Sequence, residues 1–278
     1  MSLTPDAVRI EGSTLQLGER TIWRELSLRV PAGEFLTVIG PNGAGKTSLL
    51  KVLLGLLPAG VVVEVLGRPA RRGDRRIGYV PQQKAIDPDL PVRGRDLVRM
   101  GLDGDRWRFG GLPGAGRRVD EMLAAVGAAA FADAPVGRLS GGEQQRLRIA
   151  QALVGEPRLL LCDEPLLSLD LHHQREISEL IGSWQRRSGG TVVFVTHDVN
   201  PVLSLTDRVL AVVGGRWAAG RPSDILTSAT MSSLYASPVD VLHVRGRVVV
   251  LADTGDPIGG HHELAVDPAP PAHSERDH

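Results

Sequence analysis

The chain has 278 residues, enough for one large domain or two modest ones whose core needs no disulfide or metal. Its 32 basic and 32 acidic residues cancel, which argues against a broad positive field for holding a nucleic-acid backbone. The single cysteine, Cys162, cannot form an intramolecular disulfide, and no apolar run approaches the roughly 20 residues that span a bilayer. We therefore expect a globular protein in a reducing compartment that binds no nucleic acid and contacts a membrane only through a partner.

The N-terminus has neither a basic start nor an apolar stretch, so we expect no secretory signal.

The first predicted elements are strands. Apolar residues alternate in 15–17 and again in 26–30, a pattern typical of antiparallel strands. The continuous apolar run from Phe35 to Ile39 predicts a buried strand.

A glycine-rich loop follows that strand. The stretch from Gly40 to Thr47 reads GPNGAGKT, the phosphate-binding pattern of glycine, four residues and Gly-Lys-Thr. Leucines at helical spacing predict a helix from Lys46 to Leu57, whose N-terminus would add its dipole to the inward-turned backbone N–H groups. The alternative is a glycine turn that only connects strand and helix. The predicted nucleotide-binding residues here are Gly40, Pro41, Asn42, Gly43, Ala44, Gly45, Lys46, Thr47 and Ser48.

Two side chains of this loop have predicted chemical roles. The Lys46 ammonium is expected to reach the β- and γ-phosphates, and the Thr47 hydroxyl to ligate Mg²⁺. Arginine supplies most of the positive charge, since only three lysines occur, at positions 46, 51 and 84. A general preference for arginine therefore does not explain the lysine in this loop.

The middle of the chain predicts a helical insertion. Strand patterns disappear between about Lys84 and Leu153, and residues 93–100 and 119–126 have helical spacing. Residues 101–116 contain six glycines around Trp107 and Phe109, which predicts a surface loop that serves as a connector or a partner contact.

Two acids end the next apolar strand, 158–162. Strands at 191–196 and 209–213 also alternate with helical stretches, so we predict an α/β class with a mainly parallel sheet. Such a strand delivers Asp163 and Glu164 to the carboxyl edge, where ligands of open α/β folds bind. Two acids after a strand are also typical of a helix start, but the upstream phosphate loop favours catalysis. Asp163 would bind Mg²⁺ through water, and Glu164 would polarise the attacking water as general base.

The C-terminal region predicts a hairpin and a tail. Residues 239–243 and 248–251 flank a short turn, and the composition beyond residue 253 changes to proline, histidine and acid. The predicted domains are 1–235 (with the helical insertion at about 84–153), a β-hairpin at 236–253 and a disordered tail at 254–278. Four of the eight histidines lie in this tail, where a solvated tail is favoured over a metal site.

The segment from Leu139 to Arg146 identifies a family. It reads LSGGEQQR, which resembles the signature motif of ABC transporter ATP-binding subunits and is absent from generic phosphate-loop kinases or GTPases. A chance helix cap is the alternative. The resemblance implies a P-loop NTPase (RecA-like) fold: a mainly parallel sheet with an N-terminal antiparallel β portion and an inserted α-helical subdomain.

The resemblance also implies site residues. Family members form a head-to-tail homodimer, in which the signature of one subunit contacts the γ-phosphate held by its partner. Gln82 resembles the Q-loop glutamine, Asp170 the D-loop aspartate and His197 the switch histidine. The implied cofactors are ATP and Mg²⁺. The implied set is Glu164, His197 and Gln82 for catalysis, Thr47, Gln82 and Asp163 for Mg²⁺, and Ser140, Gly141, Gly142 and Glu143 for the signature in trans.

One position departs from the family. An aromatic residue usually stacks on adenine about two dozen positions before the phosphate loop, and Leu17 aligns there. Trp23 is the nearest aromatic residue but matches a packing position. We therefore expect weak binding of the base and poor discrimination between ATP and GTP.

Two further segments favour one branch of the family. Residues 79–91 together with 96–101, and residues 166–175, are similar to the zinc/manganese and metal-chelate importers, with His172 and His173 as helix-surface residues. The resemblance implies two integral-membrane permease subunits, an external substrate-binding protein and a location at the cytoplasmic face of the cell membrane. The alternatives are a siderophore importer, an exporter of another cargo, a soluble ABC ATPase acting on ribosomes or DNA, and a nucleotide-binding module without turnover.

Overall fold

The structure is a computed structural model that describes residues 5–82, 87, 90–103 and 113–252. The predicted tail, 254–278, and the loop residues Trp107 and Phe109 lie outside this part of the chain. Within the described ranges, no helix combines the length and the apolar character that a membrane span requires.

Twelve strands and seven α-helices make up the described chain. The strands are β1 (Asp6–Leu17), β2 (Arg20–Pro31), β3 (Phe35–Ile39), β4 (Glu64–Val65), β5 (Arg68–Pro69), β6 (Ile77–Val80), β7 (Leu159–Asp163), β8 (Thr191–Val195), β9 (Arg208–Val213), β10 (Arg216–Gly220), β11 (Val239–Val244) and β12 (Arg247–Ala252). The helices are α1 (Lys46–Leu53), α2 (Gly94–Asp103), α3 (Ala115–Ala125), α4 (Gly141–Leu153), α5 (Leu171–Ser188), α6 (Pro222–Ile225) and α7 (Ser228–Tyr235), with short 3₁₀ turns at Ala129–Phe131, Val136–Arg138 and Asn200–Leu205.

A six-stranded sheet forms the centre, in the order β10-β9-β3-β8-β7-β6. Five of its strands run parallel, and β10 is an antiparallel edge strand paired with β9. Every residue of β3, β7 and β8 is buried, as parallel strands covered on both faces require. The predicted α/β class with a mainly parallel sheet is confirmed.

A smaller antiparallel sheet precedes it, in the order β2-β1-β4-β5. Trp23 of β2 lies in its core, and its indole Nε1 donates to Ser13 Oγ at 3.1 Å. The Ser13 hydroxyl in turn donates to the Ala59 carbonyl at 2.8 Å, so all polar atoms of this buried pair are satisfied. The interpretation of Trp23 as a packing residue is confirmed.

Helices α2, α3 and α4 pack against one another around an apolar cluster separate from that of the sheet. Its buried members include Val98, Val119, Leu123 and Leu147, at least one from each of the three helices. Because α4 also contacts β6, this helical layer is attached to the edge of the sheet that carries Gln82.

Helix α1 is shorter than predicted. The leucine spacing predicted a helix as far as Leu57, but α1 ends at Leu53. Gly55 adopts φ 66°, and a side chain there would lie 2.6 Å from the backbone of Arg71. A left-handed glycine ends a helix because it redirects the chain, so Leu54 and Leu57 pack against the core from a turn.

Hydrogen bonds and apolar contacts attach the β11–β12 hairpin to the preceding part of the chain. The Asn200 amide donates to the Val248 carbonyl at 3.0 Å and accepts from the Val248 N–H at 2.8 Å. Val239 and Val248 are buried with Met231 and Leu234 of α7. This face of the hairpin therefore shares the core next to β9.

The buried thiol of Cys162 gives a first prediction. It lies inside β7 and is fully buried, and burial raises its pKa well above the usual range. Because the thiolate is the reactive form, we expect no modification of the native protein by a thiol reagent such as DTNB, and rapid stoichiometric modification in guanidinium. Equal reaction rates under both conditions would contradict the placement. The assay is unambiguous because Cys162 is the only cysteine.

Candidate nucleotide site

The residues predicted for phosphate binding and catalysis lie at the carboxyl ends of four neighbouring strands. The phosphate loop follows β3, Asp163 and Glu164 end β7, and Gln82 and His197 follow β6 and β8. The sheet order β3-β8-β7-β6 puts these strand ends side by side. Ligands of open α/β sheets bind at this edge.

The loop has the geometry of a phosphate cradle. Gly40 and Gly45 have φ angles of 153° and 100°, and a Cβ on either would lie 2.1 Å from Val212 O or Ile22 Cγ2, respectively. Gly45 is the N-cap of α1 and carries no side-chain cap, so the first N–H groups of the helix remain directed into the loop. Only glycine fits these positions, and the arrangement fits a bound phosphate. Of the other loop residues, Ala44 is buried, while Asn42 and Ser48 border the cleft described below.

Lys46 holds the loop from within. Its side chain is only 5% exposed, and its ammonium donates to the carbonyls of Gly40 at 2.8 Å and Pro41 at 3.2 Å. The same nitrogen lies 3.6 Å from Glu164 Oε1. A buried cation needs such partners, and phosphate oxygens are stronger partners of the same kind.

Asp163 is held between two hydroxyl groups. Its Oδ1 accepts from Thr47 Oγ1 at 3.0 Å, and its Oδ2 accepts from the Tyr79 hydroxyl at 3.4 Å. Burial raises the pKa of Asp163, although the Thr47 hydrogen bond opposes the shift. Burial also raises the pKa of Tyr79 to about 12, so this phenol remains a donor at neutral pH. A buried carboxylate beside a hydroxyl provides the hard oxygen ligands that Mg²⁺ prefers.

Glu164 joins two parts of the site. Its backbone is left-handed, with φ 47°, and its N–H donates to the Val195 carbonyl at 3.0 Å. Its Oε2 accepts from the Gln82 side-chain amide at 3.1 Å, while Oε1 faces Lys46. A non-glycine residue in this conformation is strained, which is frequent at functional sites. The structure thus brings Gln82, Glu164 and Lys46 together.

His197 is exposed in the turn after β8. Neighbouring Thr196 closes this turn by donating to the Asp198 carbonyl at 2.8 Å. Among the residues that the structure describes, none forms a hydrogen bond or ion pair with His197, and its side chain is not part of the cleft wall.

The signature residues begin α4. Ser140 is the N-cap, Glu143 N–H donates to its Oγ at 3.3 Å, and Ser140 N–H donates to Glu143 Oε2 at 2.8 Å. This reciprocal capping box explains the Ser and Glu spacing locally. Ser140 and Gly141 are exposed.

The D-loop lies beside the signature. A Cβ on Gly142 would come 2.7 Å from His173 Cδ2, so only glycine lets the two helix starts approach. The His173 N–H and ring Nδ1 lie 2.9 and 2.8 Å from the Asp170 carboxylate, and together they lower the pKa of Asp170. His172 is 78% exposed, and no cluster of metal-binding side chains occurs in the described residues. Neither segment lines the cleft.

The loop and Glu164 border a cleft of about 450 Å³. This volume lies within the range of small-molecule sites. Two cleft residues, Arg20 and Ile22, have no signal in the sequence, because they belong to β2, which reaches the loop only in the folded chain. The cleft is lined by Leu17, Arg20, Ile22, Asn42, Gly43, Gly45, Lys46, Thr47, Ser48, Gln82 and Glu164.

Comparison with known proteins gives consistent results. Residues 23–167 match the protein-family profile described as "ABC transporter". The chain is 39% identical over 215 residues to the zinc transport system ATP-binding protein TroB of Treponema pallidum (strain Nichols), covering 76% of this chain and 79% of TroB. It is 35% identical over 233 residues to the zinc import ATP-binding protein ZnuC of Halorhodospira halophila, covering 83% of each chain.

Solved structures agree with the fold. A structure described as an inward-facing conformation of a metal-chelate type ABC transporter superposes with a TM-score of 0.76 at 25% identity. The match covers 89% of this chain and 97% of that chain. The ADP conformation of an ATP-binding cassette of an ABC transporter has a TM-score of 0.69 at 22% identity, over 80% of this chain and 93% of the other, a likeness of fold alone.

Proposed function

The chain belongs to the ABC transporter family as an ATP-hydrolysing subunit, and we propose on this premise that it drives the import of zinc or a closely similar divalent metal. The observation that supports the cargo most is the 39% identity to a relative named for zinc transport. ABC ATP-binding subunits work with membrane permease subunits. The metal would therefore be cargo of the whole assembly rather than a ligand of this subunit.

Two groups of residues at the site have separate proposed roles in ATP binding, one for the phosphates and one for Mg²⁺. The glycine loop and the start of α1 would bind the phosphates through backbone N–H groups, and the Lys46 ammonium would transfer its hydrogen bonds from loop carbonyls to phosphate oxygens. Thr47 and Asp163, with Gln82, would hold Mg²⁺. The ion would neutralise charge on the phosphates when bound.

Glu164 is the proposed general base. Its carboxylate lies at the cleft and is oriented by Gln82 and Lys46 on its two oxygens. A base held by two partners is positioned to accept a proton from water with little reorganisation. His197 follows the adjacent strand β8, and we propose that it contacts the reacting phosphate from the dimer interface.

A second copy of the chain would complete the site. Ser140 and Gly141 are exposed at a helix N-terminus, a position suited to bind phosphate, yet they do not line the cleft of their own subunit. We propose a homodimer in which Ser140, Gly141, Gly142 and Glu143, with Asp170, face the partner's phosphate loop. This dimer would bind two integral-membrane permease subunits at the cytoplasmic face of the cell membrane, and an external binding protein would complete the importer.

These roles divide the chain into three proposed parts. Residues 1–235 would form the ATP-binding domain, with the helical insertion at about 84–153 passing movement from Gln82 to the permeases. Residues 236–253 would form an accessory hairpin and 254–278 a tail. Movement of this kind requires a two-state element whose equilibrium ATP shifts.

Metal content of cells tests the cargo. Deleting the gene should lower cellular zinc, measured by mass spectrometry under metal limitation, and the wild-type gene should restore it. Complementation with a Glu164→Gln variant is the matched control for catalysis and should fail. Unchanged zinc and manganese, with growth restored by a siderophore or an organic nutrient, would contradict zinc or manganese import and leave the ATPase assignment intact.

A further inference from the structure

The end of the cleft away from the acids has an unusual lining. Leu17 ends β1 and Arg20 begins β2, and the two residues pair directly across the tight turn at Gly18 and Glu19. Leu17 is 42% exposed, and Ile22 lies beside Gly45. Of the described residues that line the cleft, none is aromatic. This end therefore offers an aliphatic surface and one cation.

The Arg20 guanidinium lies over the phosphate loop. Its Nη1, Nη2 and Cζ atoms are 3.2, 3.5 and 3.8 Å from the position that a Cβ on residue 43 would take. Both nitrogens are nearer than Cζ, so the guanidinium presents its Nη1–Nη2 edge to Gly43, and neither of its planar faces is turned toward this residue. A side chain at position 43 would displace Arg20, so the close approach of Arg20 to the loop requires a glycine at this position.

Arg20 also differs in its contacts from other arginines of the described chain. No described residue forms a hydrogen bond or ion pair with its guanidinium, whereas Arg9, Arg29, Arg76, Arg95 and Arg208 all pair with carboxylates. An unpaired, weakly hydrated planar cation on a cleft wall is suited to stack on an aromatic ring. Purine bases are such rings.

We propose that Arg20 binds the nucleotide base by stacking, with Leu17 and Ile22 as the apolar surroundings, so that a guanidinium takes the place of an aromatic ring. This inference rests on the proposed binding of ATP in the cleft. Stacking on a guanidinium depends on the ring rather than on its substituents. Arg20 would therefore increase affinity for ATP and GTP alike.

Equilibrium binding to the full chain tests this role. Calorimetry with ATP, GTP and inorganic tripolyphosphate separates the base from the phosphates. Arg20→Ala should weaken ATP and GTP by about tenfold and leave tripolyphosphate unchanged. Arg24→Ala, on the same strand but outside the cleft, is the matched control and should bind all three ligands like the wild type.

Two further variants separate stacking from simple charge. Arg20→Lys keeps the charge but loses the planar group, so it should bind ATP as weakly as Arg20→Ala. Adding Leu17→Tyr to Arg20→Ala should restore ATP affinity, because a ring then returns to the same end of the cleft. Thermal unfolding of each variant should match that of the wild type, since Arg20 is exposed.

Several results would overturn the proposal. Unchanged ATP affinity in Arg20→Ala would mean that Arg20 does not contact the nucleotide. An equal loss for tripolyphosphate would assign Arg20 to the phosphates, and wild-type affinity in Arg20→Lys would reduce its role to charge. A wild-type chain that binds neither ATP nor tripolyphosphate would contradict the proposed function itself, and this inference with it.

Discussion

Replacing Glu164 with glutamine is expected to remove most ATP hydrolysis and leave ATP binding intact. The amide keeps the size of the side chain but cannot accept the proton from water, and general base catalysis typically contributes about 10²–10⁴-fold. The chain would then be arrested with ATP bound, so a stable ATP-dependent dimer should accumulate. Phosphate release with the permease subunits present measures the first effect, and size-exclusion chromatography with ATP measures the second.

A matched control isolates the role of this carboxylate. Glu179→Gln changes an exposed glutamate on α5 and should hydrolyse ATP at the wild-type rate. Near-normal turnover by Glu164→Gln in the presence of the permeases would remove Glu164 from the role of base. Loss of ATP affinity in Glu164→Gln would instead assign the residue to binding.

Replacing Lys46 with alanine is expected to act earlier, on ATP binding itself. The ammonium is buried within the loop and donates to Gly40 and Pro41, so it lies where phosphate oxygens would replace these partners. Hydrogen bonds to charged groups contribute about 1.5–3 kcal/mol, which corresponds to a loss of more than tenfold in affinity. Equilibrium binding of ATP measures the effect.

Lys51 provides the control for the Lys46→Ala variant. Lys51→Ala changes an exposed lysine on the same helix and should bind ATP like the wild type. A thermal unfolding curve of Lys46→Ala separates lost affinity from a loop that no longer folds. Equal ATP affinity in a folded Lys46→Ala and the wild type would exclude a phosphate contact for Lys46.

Much of the fold could be predicted because continuous apolar runs indicate strands that are buried on both faces. Strands β3, β7 and β8 are buried along their whole length, and the sequence places them to within a residue. The end of α1 was predicted wrongly, because leucines that pack against the core from a turn have the same spacing as leucines on a helix. The left-handed Gly55 decides the difference, and a single glycine in a helical pattern is a weak signal.

The sequence by itself determined the phosphate loop, the two acids after β7 and the family, because each is a run of adjacent residues whose spacing dictates a local backbone shape. Only the tertiary structure decided which distant groups meet. It brings Tyr79 to Asp163, Gln82 to Glu164 and Arg20 to Gly43. The first two contacts depend on the order of the strands, and the third depends on the position of β2 beside the loop. It also separates the signature helix from the cleft of its own subunit. Such contacts join residues that are far apart in the sequence, so the spacing of residues along the chain does not predict them.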